Sequence, residues 1–235
     1  ASSRTIEIVS NSSYGYGLLP EVAWNYGINI TRTFTINYRK GAISLDAYRT
    51  HFQNQIVVDF VQDPHKAIFY NLQGESFSNS IQTQIDYELI KRLDVRIAYR
   101  WYDVKTTYNG VLQDKPLISK HRAFINMAYK TRNHLAFDYT CNWHGSKPIP
   151  SLQSNPIAYQ LPLKSPHFIT MNAQISKTWN ETFELYAGGE NVLNFKQHNP
   201  ILSAAEPYSP YFDSSLIWGP VYGRELYVGL RYRIK

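Results

Sequence analysis

The sequence predicts an all-β chain, a transmembrane antiparallel β-barrel wall of about nine or ten strands, and three observations carry that expectation. Apolar side chains recur at every second residue, several of these runs hold for ten residues or more, and the connections come in two sizes, tight turns and long polar loops. A period of two places successive side chains on opposite faces of a strand. Strands of soluble proteins centre on about five or six residues, whereas one crossing a bilayer at a tilt of about 45° needs about nine to eleven. Short turns at one end and long loops at the other are how outer-membrane barrels are built.

Taken along the chain, Thr5 to Val9 is a short candidate strand that would make the tenth. Ile28 to Tyr38 alternates with one exception, Arg32. Ile43 to Val58 starts in register and changes face near Tyr48, which reads as a β-bulge. Ile81, Thr83, Ile85, Tyr87 and Leu89 form one face of the next run, opposite Gln82, Gln84, Asp86 and Glu88. From Leu93 to Thr106 the apolar face is Val95, Ile97, Tyr99 and Trp101. Ala123 to Tyr129 alternates loosely; Leu135, Phe137, Tyr139, Cys141 and Trp143 share a face in the run that follows. Ile169 to Trp179 is again looser, and Leu226, Val228, Leu230, Tyr232 and Ile234 close the chain opposite Glu225, Tyr227, Gly229, Arg231 and Arg233. Tight turns fall at Leu89 to Leu93, Thr131 to His134 and Asn180 to Thr182. Long loops fall at Asp59 to Ser76, Tyr108 to Ser119, Gly145 to Pro166 and Leu193 to Gly223. No linker interrupts the series, so residues 1–235 read as one structural unit.

Composition narrows the classes. The 235 residues are 43% hydrophobic, 18% charged and 15% aromatic, with 19 Tyr and 1 Cys, which excludes disorder and a disulfide scaffold. A mean hydropathy of -0.38 without a long apolar run excludes a membrane-crossing helix but not a barrel, whose apolar outside and polar inside average out. The net charge of +6 is spread along the chain with no basic run, which speaks against nucleic acid. Trp24, Tyr26, Tyr38, Trp101, Tyr102, Trp143, Trp179, Trp218 and Tyr222 lie near strand ends, as in an aromatic girdle; strand and binding-surface preference is the competing reading. Ala1-Ser2-Ser3-Arg4 carries no signal-peptide pattern, so a leader has been removed or the chain is part of something longer.

Three strings resemble a known family. Pro20-Glu21-Val22-Ala23-Trp24-Asn25-Tyr26-Gly27 is similar to the opening of a late barrel strand in TonB-dependent outer-membrane receptors. Glu184 to Asn194 resembles their penultimate strand and the asparagine-rich start of its loop, and Tyr222 to Ile234 resembles their closing strand. They occur in family order and span Leu19 to Lys235; Trp218-Gly219-Pro220-Val221 is similar to receptors of the Bacteroidetes lineage. The resemblance implies the C-terminal portion of a 22-stranded barrel, with earlier strands and a plug domain preceding Ala1, in the same receptor or in a separate chain. It implies a Gram-negative outer-membrane location, outer-membrane lipids around the strands, the TonB-ExbB-ExbD complex as energy-coupling partner through the plug, and a surface lipoprotein as a further partner. It also implies a barrel-assembly signal in Leu226, Val228, Leu230, Tyr232 and Ile234, although the chain ends in Ile234-Lys235 instead of the usual aromatic residue.

Signatures of catalysis are absent: there is no Gly-x-Ser-x-Gly, His-Glu-x-x-His or phosphate-binding loop, and Cys141 has no activating neighbour in sequence. The chain reads as no enzyme, with no cofactor, and its seven His show no metal-ligand spacing. Arg96, Arg100, Arg122, Lys130, Arg231 and Arg233, with Asp86, Glu88, Asp94, Asp138, Glu184, Glu190 and Glu225, fall on the polar face, where they pair with a plug or line a charged route for solute. Tyr70, Asn71, Tyr108, Trp143, Tyr159, Tyr208, Tyr211, Phe212 and Trp218 are the loop candidates for substrate binding, since aromatic rings offer large contact area at low entropic cost; loop packing is the alternative. The expected function is import of a scarce bulky nutrient, a ferric siderophore, haem, cobalamin or glycan. Two other classes stay open: a small complete barrel acting as passive pore or adhesin, with the strand near Thr5 pairing the one near Leu226, and a soluble β-rich carbohydrate-binding module.

Overall fold

The computed structural model describes residues 4–234, and the regular structure among them is strand apart from two single-turn 3-10 segments. The strands are β1 (Thr5–Ile8), β2 (Val22–Ile36), β3 (Arg39–Asn54), β4 (Ile56–Asp59), β5 (Lys66–Asn71), β6 (Ser76–Ile90), β7 (Leu93–Tyr108), β8 (Val111–Asp114), β9 (His121–Lys130), β10 (Leu135–His144), β11 (Phe168–Trp179), β12 (Phe183–Glu190) and β13 (Glu225–Tyr232). A ten-stranded sheet runs in the order β2, β3, β6, β7, β9, β10, β11, β12, β13, with β8 added to the upper end of β7. Its pairings are antiparallel.

The register sorts the side chains cleanly. Ile43, Ile85, Ile97 and Ile125 are direct cross-strand partners and form one apolar row over four strands. One residue along, Ser44, Gln84, Ala98 and Phe124 form the neighbouring row on the opposite, mostly polar face. Sheet grooves open on this polar face, one around Asp86, Glu88, Asp94 and Arg96, another around Lys130, Glu184, Arg231 and Arg233. Arg32 stands on the apolar face opposite Ile43, the one break in that face of β2.

Short connections gather at one end. Asn37-Tyr38 joins β2 to β3 with both residues at positive φ, the geometry of a two-residue hairpin turn. Lys91-Arg92 joins β6 to β7, with the Arg92 amide donating to the Glu88 carboxylate at 2.9 Å. Thr131 to His134 and Asn180 to Thr182 complete the set. On the apolar face near these turns, Phe34 stacks with Tyr87, Tyr129 with Phe137, and Trp179 packs against Phe183. Near the other end the same face carries Trp24, Tyr26, Trp101 and Trp143. Two girdle expectations are corrected: Tyr102 lies on the polar face, two residues from Arg100 and opposite Ser80, and Trp218 is buried among loops.

Three further expectations change. The register runs unbroken through Tyr48, and the irregularity sits near the end of β3, where Val22 pairs Asn54 and Ala23 pairs Phe52. The segment Ile43 to Val58 is two strands broken at Gln55, whose carbonyl accepts from Leu72 while its side chain accepts from Ser76 at 2.6 Å. Asp59 to Ser76 is therefore no bare loop: β4 and β5 extend the β3 and β6 hairpin above the main sheet. The strand at Thr5 exists but pairs parallel with β5, not with β13. The ends of the main sheet, β2 and β13, do not meet, so the closed small barrel finds no support among the described residues.

Candidate functional site

The polar face and the loops above it form the candidate site. Two arginines of that face are neutralised locally: Arg96 Nε lies 2.5 Å from Asp86, which also accepts from Gln84, and Arg231 Nη1 lies 2.8 Å from Glu184. Arg100 and Arg122 are placed differently. They are direct partners across β7 and β9, between Gln82 on one side and His144 on the other. Arg100 leans over the Tyr102 ring at 4.9 Å. Glu88 is used by the turn described above, Asp94 pairs it across the strands, and Glu190 stands opposite Glu225 at the upper edge. Asp138 accepts from Asn126. Lys130 and Arg233 line the lower groove, Arg233 beyond the end of β13.

The last two strands show how the sequence pattern shapes this face. Gly188 faces Tyr227, and Tyr186 faces Gly229. A Cβ on Gly188 would come within 2.6 Å of the Tyr227 ring, so each ring lies across a glycine on the neighbouring strand. Leu226, Val228, Leu230 and Tyr232 take the other face of β13, while Ile234 lies past its end; Lys235 is outside the described residues.

Above the sheet, the loops fold on one another. One small core joins Val57, Ile68, Tyr70 and Tyr108, and a second joins Ile149, Phe168 and Trp218, with Leu117, Leu161 and Phe195 packed against it. Asp59, fully buried, accepts from the Val61 and Gln62 amides, the Gln62 side chain and the Tyr70 hydroxyl. Burial, then Asp59, pushes the Tyr70 phenol up to about 12. Gln197 accepts from the Trp218 and Gly219 amides and donates to the Leu216 carbonyl. Arg4 knits the N-terminal segment to two loops: Nε donates to the Pro64 carbonyl, Nη1 bonds Ser215, Nη2 forms an ion pair with Asp213 at 2.7 Å, and the guanidinium covers the Phe60 ring. Burial lowers the Arg4 pKa, and Asp213 opposes that shift.

The strings that carried the resemblance turn out to tie loop bases. Asn191 and Asn194, both at positive φ, open the longest loop. The Asn191 side chain bonds both backbone groups of Phe195 and the Tyr222 carbonyl, and Asn194 accepts from the Arg224 amide, so the loop's start is fastened to its end. The Glu21 carboxylate likewise accepts from the Ile56 amide at the β3 to β4 junction.

Of the loop candidates, Tyr70, Asn71, Tyr108 and Trp218 are buried, each under a tenth exposed. Asn71 is consumed by the backbone of Leu19 and the side chain of Asn54. These four are packed and bonded within the cap, as the loop-packing alternative has it. Tyr159 stacks on Tyr211 at 4.5 Å, joining two loops, and Phe212 is half-buried beside them. Tyr208 is wholly exposed. Trp143 is half-buried on the apolar face near the top of β10.

Sequence reasoning passed over Arg4, Asp59, Gln197 and Asp213, which hold the cap, and Lys147 and His144, which form its underside. His144 stacks on Phe168 at 4.6 Å, and Lys147 donates to the Trp218 carbonyl at 2.5 Å. Burial, with a smaller push from Arg122, lowers the Lys147 pKa. A loop lysine sensing a strand arginine 25 positions earlier has no local sequence signal. Among the described residues no group of His, Cys, Asp and Glu is arranged to hold a metal ion.

Solved structures show the same fold. The ferric-catecholate import receptor Fiu of Escherichia coli K12 aligns with a TM-score of 0.61 at 12% identity, over 95% of this chain and 30% of that one. The ferric enterobactin receptor PfeA of Pseudomonas aeruginosa, in complex with enterobactin, aligns at 0.60 and 11% identity, over 92% of this chain and 32% of that one. The receptor FpvA of Pseudomonas aeruginosa PAO1, bound to pyoverdine, aligns at 0.58 and 11% identity, over 92% and 30%. The chain thus spans about a third of the length of these structures. A search of curated protein sequences finds no match. The family described as TonB dependent receptor-like, beta-barrel matches residues 5–192, about four-fifths of the chain. The chain belongs to the TonB-dependent receptor β-barrel family, whose barrels sit in the outer membrane of Gram-negative bacteria.

Proposed function

We propose that this chain supplies wall and loop cap to a TonB-dependent transporter that takes up a scarce, bulky solute, a ferric siderophore before haem, cobalamin or a glycan. The observation that carries the reading is the pairing of a polar sheet face with a folded loop cap above it, on strands whose other face is apolar. A folded cap over a polar wall suits a receptor that holds solute before release. That the aligned receptors are named for ferric-catecholate import, enterobactin and pyoverdine favours the iron complexes. In the complete receptor a plug fills the lumen against the charged wall, and TonB moves it.

The test is accumulation of radiolabelled solutes by cells carrying the full receptor in an otherwise receptor-deficient background, with and without TonB. Accumulation of a ferric siderophore that stops when TonB is removed is the expected result. Uptake indifferent to TonB would make the protein a passive pore, and uptake of none of the four classes would end the transport reading.

A further inference from the structure

Arginines on the polar face divide into two kinds. Arg96 and Arg231 each hold a carboxylate within 2.8 Å, on neighbouring or adjacent strands. Arg100 and Arg122 face each other instead, and like charges directly opposite on one sheet face repel. Among the described residues no carboxylate pairs with either arginine: the same-face strand positions around them are Ser80, Gln82 and Gln84 on β6, Ala98 and Tyr102 on β7, Phe124 on β9, and Thr140, Asn142 and His144 on β10, while Asp103 and Asp114 are taken by Lys120 just before β9. Asp46, in line with Gln82, is two strands from Arg100, about 10 Å by strand spacing, and bonds Asn29.

The pair lines a groove of about 240 Å³ together with Gln82, Phe124, Asn142 and His144. His144 Nδ1 is buried and lacks a hydrogen-bond partner among the described residues. Lys147, in the loop above, is held by the Trp218 carbonyl and lies 5.8 Å from the Phe168 ring on which His144 stacks. Two guanidinium groups and a buried ring nitrogen without a partner thus line one space beneath the cap, with Lys147 close enough to Arg122 for their charges to repel. Guanidinium forks match the paired oxygens of carboxylate and phosphate, and an anion between them would turn mutual repulsion into two charge-assisted contacts.

We propose that the groove between Arg100 and Arg122 is an oxyanion subsite, taking a carboxylate or phosphate group of the solute as it passes from the loop cap to the lumen. This rests on the transport reading for its occupant but not for its test. The purified full receptor, plug included, is titrated with tricarballylate, with inorganic phosphate and with the neutral trimethyl ester of tricarballylate, following heat release and tryptophan emission. One of the two anions binds and the ester does not; which anion binds identifies the group. Arg100→Gln and Arg122→Gln each weaken that binding at least tenfold, Arg122→Lys less, and Arg132→Gln, in the turn between β9 and β10, leaves it unchanged. Retained heat-modifiable migration in each variant shows that the barrel is intact. Binding unchanged in both glutamine variants, or no anion binding to the unaltered receptor, overturns the proposal. If the unaltered receptor binds neither anion and the glutamine variants also make the plug more sensitive to protease, the counter-charge is a plug carboxylate. Anion binding that survives while TonB-dependent uptake fails would sink only the transport reading.

Discussion

The strands of the main sheet and the loops above them solve folding by different means. In the sheet nearly every side chain has one side open, to lipid or to the polar interior; among the described residues Ala98 is the one buried apolar side chain away from the strand ends. Stability there comes from the ladder of backbone bonds, which satisfies every interior amide where no water can. The cap inverts this. Its backbone is irregular, and its cohesion comes from two small apolar cores pinned by individual buried polar groups: the Arg4 and Asp213 pair, Asp59 with its four donors, and Gln197 under Trp218. A lattice of equivalent bonds tolerates single side-chain changes that keep polarity; a structure hung on a few buried polar groups does not.

The largest separation between the two regions is expected from Asp213→Ala. Removing one partner of a buried ion pair costs about 3–5 kcal/mol, because the other charge stays buried without its counter-ion. Arg4 also ties Pro64 and Ser215, so the loss loosens three segments at once. Hydrogen exchange should accelerate in residues 5–9, 60–66 and 211–216 while the main sheet keeps its protection. Uniform acceleration through β6 and β7 would mean that cap and sheet are one cooperative unit.

Ile97→Arg makes the converse comparison. It places a charge in the middle of the isoleucine row and should cost about 2–4 kcal/mol if that face meets lipid. Ser44→Arg, one residue out of phase on the polar face, should cost little. Refolding into lipid vesicles followed by denaturant titration measures both. Equal costs would remove the distinction between the faces on which the membrane reading stands.

How much of this was legible in the sequence follows the same divide. Strands whose two faces meet different solvents must alternate, so β6, β7, β10 and β13 could be read within a few residues of their ends. β4 and β5 are short and face a local core on one side and other loops on the other, so Val57, Ile68 and Tyr70 carry no period that sets them apart from a loop. β1 was legible as a strand but not in its partner, because a four-residue parallel pairing with β5 depends on where the hairpin above the sheet brings that edge. On the polar face, alternation placed Arg100 and Arg122 but not their direct opposition, which depends on register between strands. The cap's anchors were invisible for a plainer reason: Arg4 and Asp213 are 209 positions apart, and nothing local marks either as buried.

The smallest expected effect is mainly an alkaline one and sharpens the comparison at that edge. Tyr70 is a cap residue whose phenol is pushed up to about 12, chiefly by burial, from an ordinary value of 10.0. The folded cap therefore favours the neutral phenol more than the opened cap does. That preference is fully present below about pH 10, where both forms are protonated, and it is lost as the pH rises towards 12, since the opened form ionises first. Protease sensitivity of the cap should rise through this window, before the sheet yields. Tyr70→Phe has no proton to lose and should remove part of that rise, which separates Tyr70 from the other tyrosines titrating in the same range. It should also weaken the cap slightly at neutral pH, since Asp59 loses one of its four donors. An identical alkaline profile in the variant would mean that the cap opens for another reason and that Tyr70 stays covered after it opens.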